Sequence, residues 1–300
     1  MGKSKIAFII NPNSGTNRKR NLPALIGEII DKDRFEITVV FTQYAGHGKE
    51  LAAGFVVEQY QYIIACGGDG TVNEIASQLV HTDAVFGIVP CGSGNGLARH
   101  LKVSMSPKRA LELINDHEIS AVDYGLADEI KFFCTCGLGF DAHVSRQFAI
   151  QGTRGLVTYL KTILKEYRQY KPYTYILKSE EFEIEQRAFL VTFANASQYG
   201  NNAFIAPHAS TSDGMLDVCV LKPFSFVMAP WLVFLLFRKK IEKSKYVSIV
   251  RAKEITLVRQ HTGAFHADGD PLEKGEEIRI KIVPAGLKVL TKRGKMRNLS

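Results

Sequence analysis

The sequence predicts an N-terminal three-layer α/β domain followed by a second, mostly antiparallel β-sandwich domain. Three observations carry this. Strand-like and helix-like segments alternate from residue 5 to about 120. Short strand-like runs separated by turns take over after that point. In the first part, the glycine-rich run Gly67-Gly68-Asp69-Gly70 joins an apolar strand to an amphipathic helix. Alternation implies a parallel sheet flanked by helices, and many short strands imply a sandwich or barrel. Three hundred residues with 46% apolar content suffice for about two domains.

The elements follow in order. Strands are expected at 5–10, 35–41, 62–66 and 85–89, with helices at 22–31, 47–57, 71–79, 97–101 and 107–114. The helix over 71–79 has the clearest signature, because Val72, Ile75, Ala76 and Leu79 recur at the spacing of one helical face. Thr71 is its expected N-cap, with Glu74 completing a Thr-x-x-Glu capping box. Beyond 120, strands are expected at 131–136, 173–178, 182–186, 189–194, 216–221, 248–251, 254–258 and 278–283, with a helical insertion over 155–170. Segment 224–237, FSFVMAPWLVFLLF, is the most apolar stretch, and Arg238, Lys239, Lys240, Lys243 and Lys245 follow it. Fourteen helical residues reach about 21 Å, short of the roughly 30 Å of a bilayer core, so no transmembrane segment is expected. Two readings stay open: a buried helix, or an apolar surface with a basic flank that meets a membrane or a lipid chain.

A net charge of +8 favours anionic partners. Nucleic acid is disfavoured, since no zinc finger, RNP-type motif or long basic helix is present. Cysteines at 66, 91, 134, 136 and 219 are odd in number, mostly in apolar runs and without paired zinc spacing, which argues against a disulfide framework. The eight histidines show no zinc pattern, and His261 and His266 are placed in a hairpin. The first fifteen residues lack the apolar length of a signal peptide, so a cytoplasmic location is expected.

Function is suggested by the ends of the first-domain strands. In open α/β sheets ligands bind beyond the carboxyl ends of the strands. There the chain places NPNSG at 11–15, GGDGT at 67–71 and PCGSGNGLARHL at 90–101. Glycine has no Cβ, so successive backbone N–H groups can converge on a phosphate at a helix N-terminus. No Walker A motif is present, so any phosphate grip is of this other kind. The basic run Arg18, Lys19, Arg20 is near enough in sequence to reach such phosphates.

This ordered set resembles the diacylglycerol kinase catalytic family, which includes bacterial lipid kinases and sphingosine kinases. GLGFDA at 137–142, DGMLDV at 213–218 and ADGDP at 267–271 continue the family's order of motifs, so the resemblance covers nearly the whole chain. It implies ATP and Mg²⁺ as cofactors, with Asn11, Gly15 and Thr42 cradling the nucleotide. Gly67, Gly68, Asp69, Gly70, Thr71, Asn73 and Glu74 would wrap its phosphates, and Gly92, Ser93 and Asn95 would reach it from the third loop, Asn95 also shaping its turn. Asp270 would be the general base, with Asp69 the competing candidate. Asp268 and Gly269 would form the hairpin turn that presents Asp270. Asp213, with the carbonyls of Ser210 and Met215, would hold a structural Mg²⁺, and Asp141 would lie near the lipid head group. The third loop reads GSGNG, with Gly96 where bacterial diacylglycerol kinases carry an acidic residue. That departure leaves the acceptor class open between diacylglycerol and a sphingoid base.

The resemblance further implies a nucleotide-binding domain over 1–122, to which the C-terminal segment 287–300 returns through a strand over 287–292, and a lipid-acceptor domain over 123–286. The partner would be a lipid substrate at a membrane surface, met by a cytoplasmic, peripherally associated protein; a homodimer is left open. The rivals are a phosphotransferase like NAD kinase, whose TPTGSTAY-like motif is missing here, and a lipid-binding protein that keeps the fold without catalysis.

Overall fold

The computed structural model of the protein describes residues 2–15, 21–151 and 166–293. Arg18, Lys19, Arg20 and residues 155–165 of the predicted helix over 155–170 lie outside the described residues. The chain divides into two units, one holding residues up to Asp123 together with those from Pro284 onward, the other holding Tyr124–Val283.

In the first unit, β1 (Ser4–Ile10), β2 (Phe35–Phe41), β3 (Tyr62–Gly67) and β4 (Val85–Pro90) form a parallel sheet in the order β2-β1-β3-β4. The last part of β16 (Glu277–Lys292) adds a parallel strand beside β4 through the pairing of Val289 with Phe86. Central parallel strands are covered on both faces and therefore read as apolar runs rather than alternations. Ile6–Ile10 and Ile63–Cys66 are accordingly buried throughout. The helices are α1 (Leu22–Ile29), α2 (His47–Val57), α3 (Asp69–Leu79), α4 (Gly96–His100) and α5 (Pro107–Asn115), with α2 packed on α3 and α1 on α5.

Helix α3 departs from its predicted start. It begins at Asp69 with Gly68 as N-cap, and no side chain caps it. The Thr71–Glu74 capping box does not form, because tertiary partners claim both side chains. The Thr71 hydroxyl accepts a hydrogen bond from Asn11 Nδ2 at 2.9 Å. Glu74 Oε1 accepts the N–H of Gly46 at 2.9 Å, at the start of α2.

The second unit is a sandwich of two antiparallel layers. One is ordered β12 (Val247–Ala252), β11 (Leu216–Leu221), β10 (Leu190–Ala194), β7 (Thr135–Gly139), β14 (Gly263–Ala267), β15 (Asp270–Lys274). The other runs from β9 (Glu183–Ala188) through β8 (Tyr173–Lys178) and β13 (Glu254–Val258) to the first part of β16. Leu138, Val191, Phe193, Val218 and Phe265 of the first layer pack with Leu177, Leu257, Ile278 and Ile280 of the second. Each fully buried side chain of this size contributes about 2 kcal/mol. The alternation is clean on β11, where Leu216, Val218 and Val220 enter this core while Cys219 faces a separate small cluster.

Two further differences have local causes. The strand expected at 131–136 is two strands, β6 (Ile130–Phe132) and β7, because the N–H groups of Phe133, Cys134 and Thr135 turn to the Asp268 carboxylate at 2.8, 2.7 and 3.0 Å. The strands expected at 278–283 and 287–292 are one strand, β16. Ala285 within it takes a left-handed φ of 51°, held by its N–H bond to the buried Asp123 carboxylate at 2.8 Å. β5 (His117–Ala127), which pairs with β16 and β6, and the β14–β15 hairpin complete the strands; α6 (Phe140–Gln151) follows β7. The apolar segment forms a short turn over Phe226–Met228 and then α7 (Ala229–Phe237), with one face buried and the other open.

His100, at the end of α4, is pushed down from 6.5 to about 4, first by burial and then by the charge of Lys102. The unfolded chain takes up this proton near pH 6.5 while the folded chain stays neutral. Stability should therefore decline as pH falls from about 6.5 to about 4 and level off below. His100→Gln should flatten that part of the melting-temperature profile; an unchanged slope would assign it to other groups.

Candidate functional site

Because β1, β2, β3 and β4 run parallel, the loops that follow them leave the same edge of the sheet. Asn11 begins the first loop. Its N–H donates to the Cys66 carbonyl at 3.0 Å, and its side-chain oxygen accepts the N–H of Asn13 at 2.9 Å. Thr42 sits buried just past β2, its N–H on the Ile10 carbonyl at 2.9 Å. Gly67 ends β3, and its carbonyl accepts the N–H groups of both Cys91 and Gly92, at 2.8 and 3.1 Å.

These loops touch through bare backbone. Gly15 has a φ of +70°, and a Cβ there would fall 1.7 Å from the Cys91 carbonyl oxygen. A Cβ on Gly92 would stand 2.5 Å from Gly68 Cα. Gly70 is different: it is exposed, and a Cβ there would meet nothing within 4 Å. Among the described residues its lack of a side chain answers no packing demand, and it lies in the first turn of α3. The first-turn N–H groups of a helix lack intrahelical partners and carry the positive end of its dipole. An exposed, side-chain-free first turn is a position at which an anion can approach a helix start.

Asp69 binds the loops together. Its Oδ2 accepts the Asn95 N–H at 2.9 Å and its Oδ1 the Gly96 N–H at 2.7 Å, so the carboxylate caps the start of α4. Asn95 is buried in the left-handed region, φ 53°, and closes its own turn with two bonds to the Gly92 backbone, at 3.1 and 2.8 Å. The Arg99 guanidinium adds a bond to the Gly94 carbonyl at 2.9 Å. Ser93 is exposed at the tip, and Asn73 lies half-buried on α3.

The second unit carries its own polar cluster. Asp141, at the start of α6, accepts at Oδ2 from Thr192 and Tyr199, both at 3.2 Å, and pairs there with His266 Nε2 at 3.1 Å. Its Oδ1 takes the Ala142 N–H at 2.8 Å. His266 is buried, and its Nδ1 has no partner among the described residues. Sequence reasoning placed His266 in a hairpin and missed this role, along with those of Thr192 and Tyr199. The available signal was faint: His266 stands four residues before Asp270 on the hairpin that carries the ADGDP motif. Asp268 and Gly269, at φ 50° and 89°, make the expected tight turn, and Asp270 begins β15 exposed to solvent. A cavity of about 440 Å³ opens nearby in sequence, lined by Gly139, His143, Tyr170, Tyr175, Arg259 and His261 among others. His143 pairs with the buried Glu166 at 2.8 Å. Burial raises the hydroxyls of Tyr170 and Tyr175, the latter to about 12, so both remain neutral at physiological pH.

Over the 213–218 motif the carboxylates are engaged by the protein itself. Asp213 Oδ1 accepts the Met215 N–H at 3.1 Å, and its Oδ2 pairs with the Arg251 guanidinium, which also reaches the buried Asp217 at 3.1 Å. The Ser210 hydroxyl is engaged with Ser212 at 3.3 Å. Among the described residues no group of three or more His, Cys, Asp or Glu could hold a metal ion.

Two substitutions separate binding from folding. Gly70→Ala should leave the melting temperature unchanged or higher, because an added Cβ meets no atom within 4 Å beyond its own helix, while nucleotide affinity measured by calorimetry falls at least about tenfold. Equal loss of stability and affinity would remove Gly70 from the binding surface. Asp69→Asn sets an amide NH₂ against a backbone N–H, costing about 2 kcal/mol and lowering the melting temperature by about 5 °C. A melting temperature equal to the parent's would show that the carboxylate does not hold the loop.

Residues 5–127 match the family described as the diacylglycerol kinase catalytic domain, and residues 134–291 match that described as the YegS C-terminal NAD kinase beta sandwich-like domain. A diacylglycerol kinase of Mycobacterium tuberculosis (strain ATCC 25618 / H37Rv) is 30% identical over 261 residues, covering 83% of this chain and 82% of its own. A protein of Xanthomonas euvesicatoria pv. vesicatoria (strain 85-10) named "Probable lipid kinase YegS-like" is 26% identical over 301 residues, 96% of this chain and 93% of its own. In fold, the chain is similar to the crystal structure of a diacylglycerol kinase from Bacillus anthracis str. Sterne, with a TM-score of 0.75 over 98% of both chains at 20% identity. Matched along both units, and with a relative at 30% identity across most of either length, the chain belongs to the diacylglycerol kinase family of lipid kinases.

Proposed function

We propose that the protein transfers the γ-phosphoryl group of ATP to a hydroxyl of a membrane lipid, diacylglycerol or a sphingoid base, as a peripheral protein on the cytoplasmic side. The observation that carries this reading is the bare first turn of α3 at Gly70, beside two glycine loops locked together by Asp69. Phosphoryl transfer depends on positioning and charge neutralisation rather than on covalent participation of the protein.

In this reading Asn11, Gly15, Thr42 and the segment Gly67–Glu74 hold the nucleotide, with Gly92, Ser93 and Asn95 closing on it from the third loop. The first unit is thus the nucleotide-binding domain and the second supplies the acceptor site. Mg²⁺, brought by the nucleotide, supplies charge neutralisation on the phosphates. The acceptor oxygen forms a bond to the γ-phosphorus as the bond from that phosphorus to the β–γ bridging oxygen breaks, and ADP departs. The hydroxyl proton passes to a carboxylate, and Asp270 is better placed for this than Asp69. Both oxygens of Asp69 already accept backbone N–H bonds that fix its loop, and Asp270 is solvent-exposed on the hairpin that carries the ADGDP motif. The cavity beside Gly139 falls within the 300–1,000 Å³ typical of small-ligand sites and suits the polar head of the acceptor.

A transfer assay with γ-labelled ATP against diacylglycerol, sphingoid bases, phosphatidylglycerol and NAD tests the reading. Label should pass to a hydroxylated lipid and require Mg²⁺; transfer to NAD alone would replace it with the NAD kinase reading, and lipid binding without turnover would favour a non-catalytic protein. Asp270→Ala should lower kcat about 100-fold or more at little cost in nucleotide affinity. A raised KM with kcat intact would make Asp270 a positioning residue instead.

A further inference from the structure

Helix α7 is apolar on both faces, yet only one of them is used inside the protein. Leu232 and Leu235 are buried against Ile241 and Val247. On the outer side Trp231 and Phe234 stand about half exposed, at 51% and 49%, with Val227, Val233 and Phe237 beside them. A helix that is hydrophobic all round is ordinarily enclosed. Trp231 and Phe234 stack at 5.4 Å, so the exposed rings form one continuous patch.

The end of α7 changes character abruptly. Lys239 takes a left-handed φ of 56°, and residues 238–245 carry five cations, Arg238, Lys239, Lys240, Lys243 and Lys245, against the single anion Glu242. The Arg238 guanidinium lies 5.7 Å from the Phe234 ring, so the cationic rim abuts the aromatic patch. Nine helical residues span about 14 Å, and no helix among the described residues is long and apolar enough to cross a membrane. An apolar helix face edged by Trp and bordered by Lys and Arg has the composition of an element lying in the interface plane of an anionic bilayer.

We propose that the outer face of α7 docks the protein on anionic lipid bilayers, with Trp231, Phe234 and Phe237 entering the acyl boundary and the Arg238–Lys245 stretch meeting the phosphate head groups. The proposal rests on the reading that the acceptor is a bilayer lipid, and it supplies how the enzyme reaches that lipid. Charge complementarity selects the occupant, since a second copy of the same face would bring like charges together.

Trp231 is the single tryptophan of the chain, so its emission reports this face without mutation. Vesicles of equal parts phosphatidylcholine and phosphatidylglycerol should shift the emission to the blue, and brominated acyl chains should quench it. Vesicles of phosphatidylcholine alone should bind more weakly. Lys240→Gln and Lys243→Gln should each weaken binding about fivefold, equivalent to about 1 kcal/mol per cation. Phe234→Ser should lose co-sedimentation with the anionic vesicles while keeping the parent's melting temperature and its turnover of a water-soluble short-chain diacylglycerol. Emission unmoved while the protein sediments with vesicles, or absence of sedimentation, would overturn the proposal. So would an emission shift that follows protein concentration in lipid-free buffer, which would mark a second copy as the cover. Failure of the kinase reading is separable, because it would abolish transfer to the soluble acceptor and leave the vesicle measurements as they are.

Discussion

A carboxylate with two backbone N–H groups on it holds the loops of the first unit together. Asp69 stands at the start of one helix and caps the start of another, although the two lie 27 residues apart in the chain. Hydrogen bonds to an ionised acceptor are shorter and roughly twice as strong as neutral ones. Here two of them draw the loop after β4 onto the loop after β3, close enough that Gly68 and Gly92 meet backbone to backbone. The glycines follow from this constraint: once the two main chains are drawn together, no side chain fits between them. The parallel strands beneath, buried on both faces, keep the edge from which the loops leave rigid.

The second unit uses the same device at several points. Asp268 collects three consecutive N–H groups and splits what would be one strand into two, while Asp141 gathers a threonine, a tyrosine and a histidine on one oxygen. Asp213 and Asp217 share one guanidinium. Burial raises the pKa of Asp217, and the charge of Arg251 opposes that shift. A carboxylate drawn out of water is costly unless its lone pairs are met, and each of these meets at least one partner far away in sequence. The polar clusters therefore act as long-range ties between strands whose apolar faces alone would leave their loops loosely set.

Much of the fold was legible in the sequence because it depends on local pattern. The runs that became β1, β3 and β4 are largely continuous and apolar, the Val72–Leu79 spacing is helical, and Asp268-Gly269 turns as that pair prefers. The site was legible to the extent that glycine marks bare backbone. What escaped was each feature decided by a distant partner. Thr71 and Glu74 carry the letters of a capping box, but Asn11 and Gly46 take them. Asp213 carries the letters of a cation ligand, and nothing in the sequence signals that its carboxylate also pairs with Arg251, 38 residues later. His266 looked ordinary until β14 paired with β7 and brought it to Asp141. Helix α7 buries one face and leaves the other open, a division that apolar composition alone does not reveal.

Strand β16 has a consequence for how the chain is made. Its first residues complete one layer of the sandwich, and its last, through Val289 beside Phe86, add the outer strand to the parallel sheet of the first unit. During vectorial synthesis the four earlier strands of that sheet emerge long before this one. A ribosome that has delivered every glycine loop has still not delivered the strand that covers the edge of β4. The first unit must wait, with that edge unpaired, until the second has been threaded through to its end.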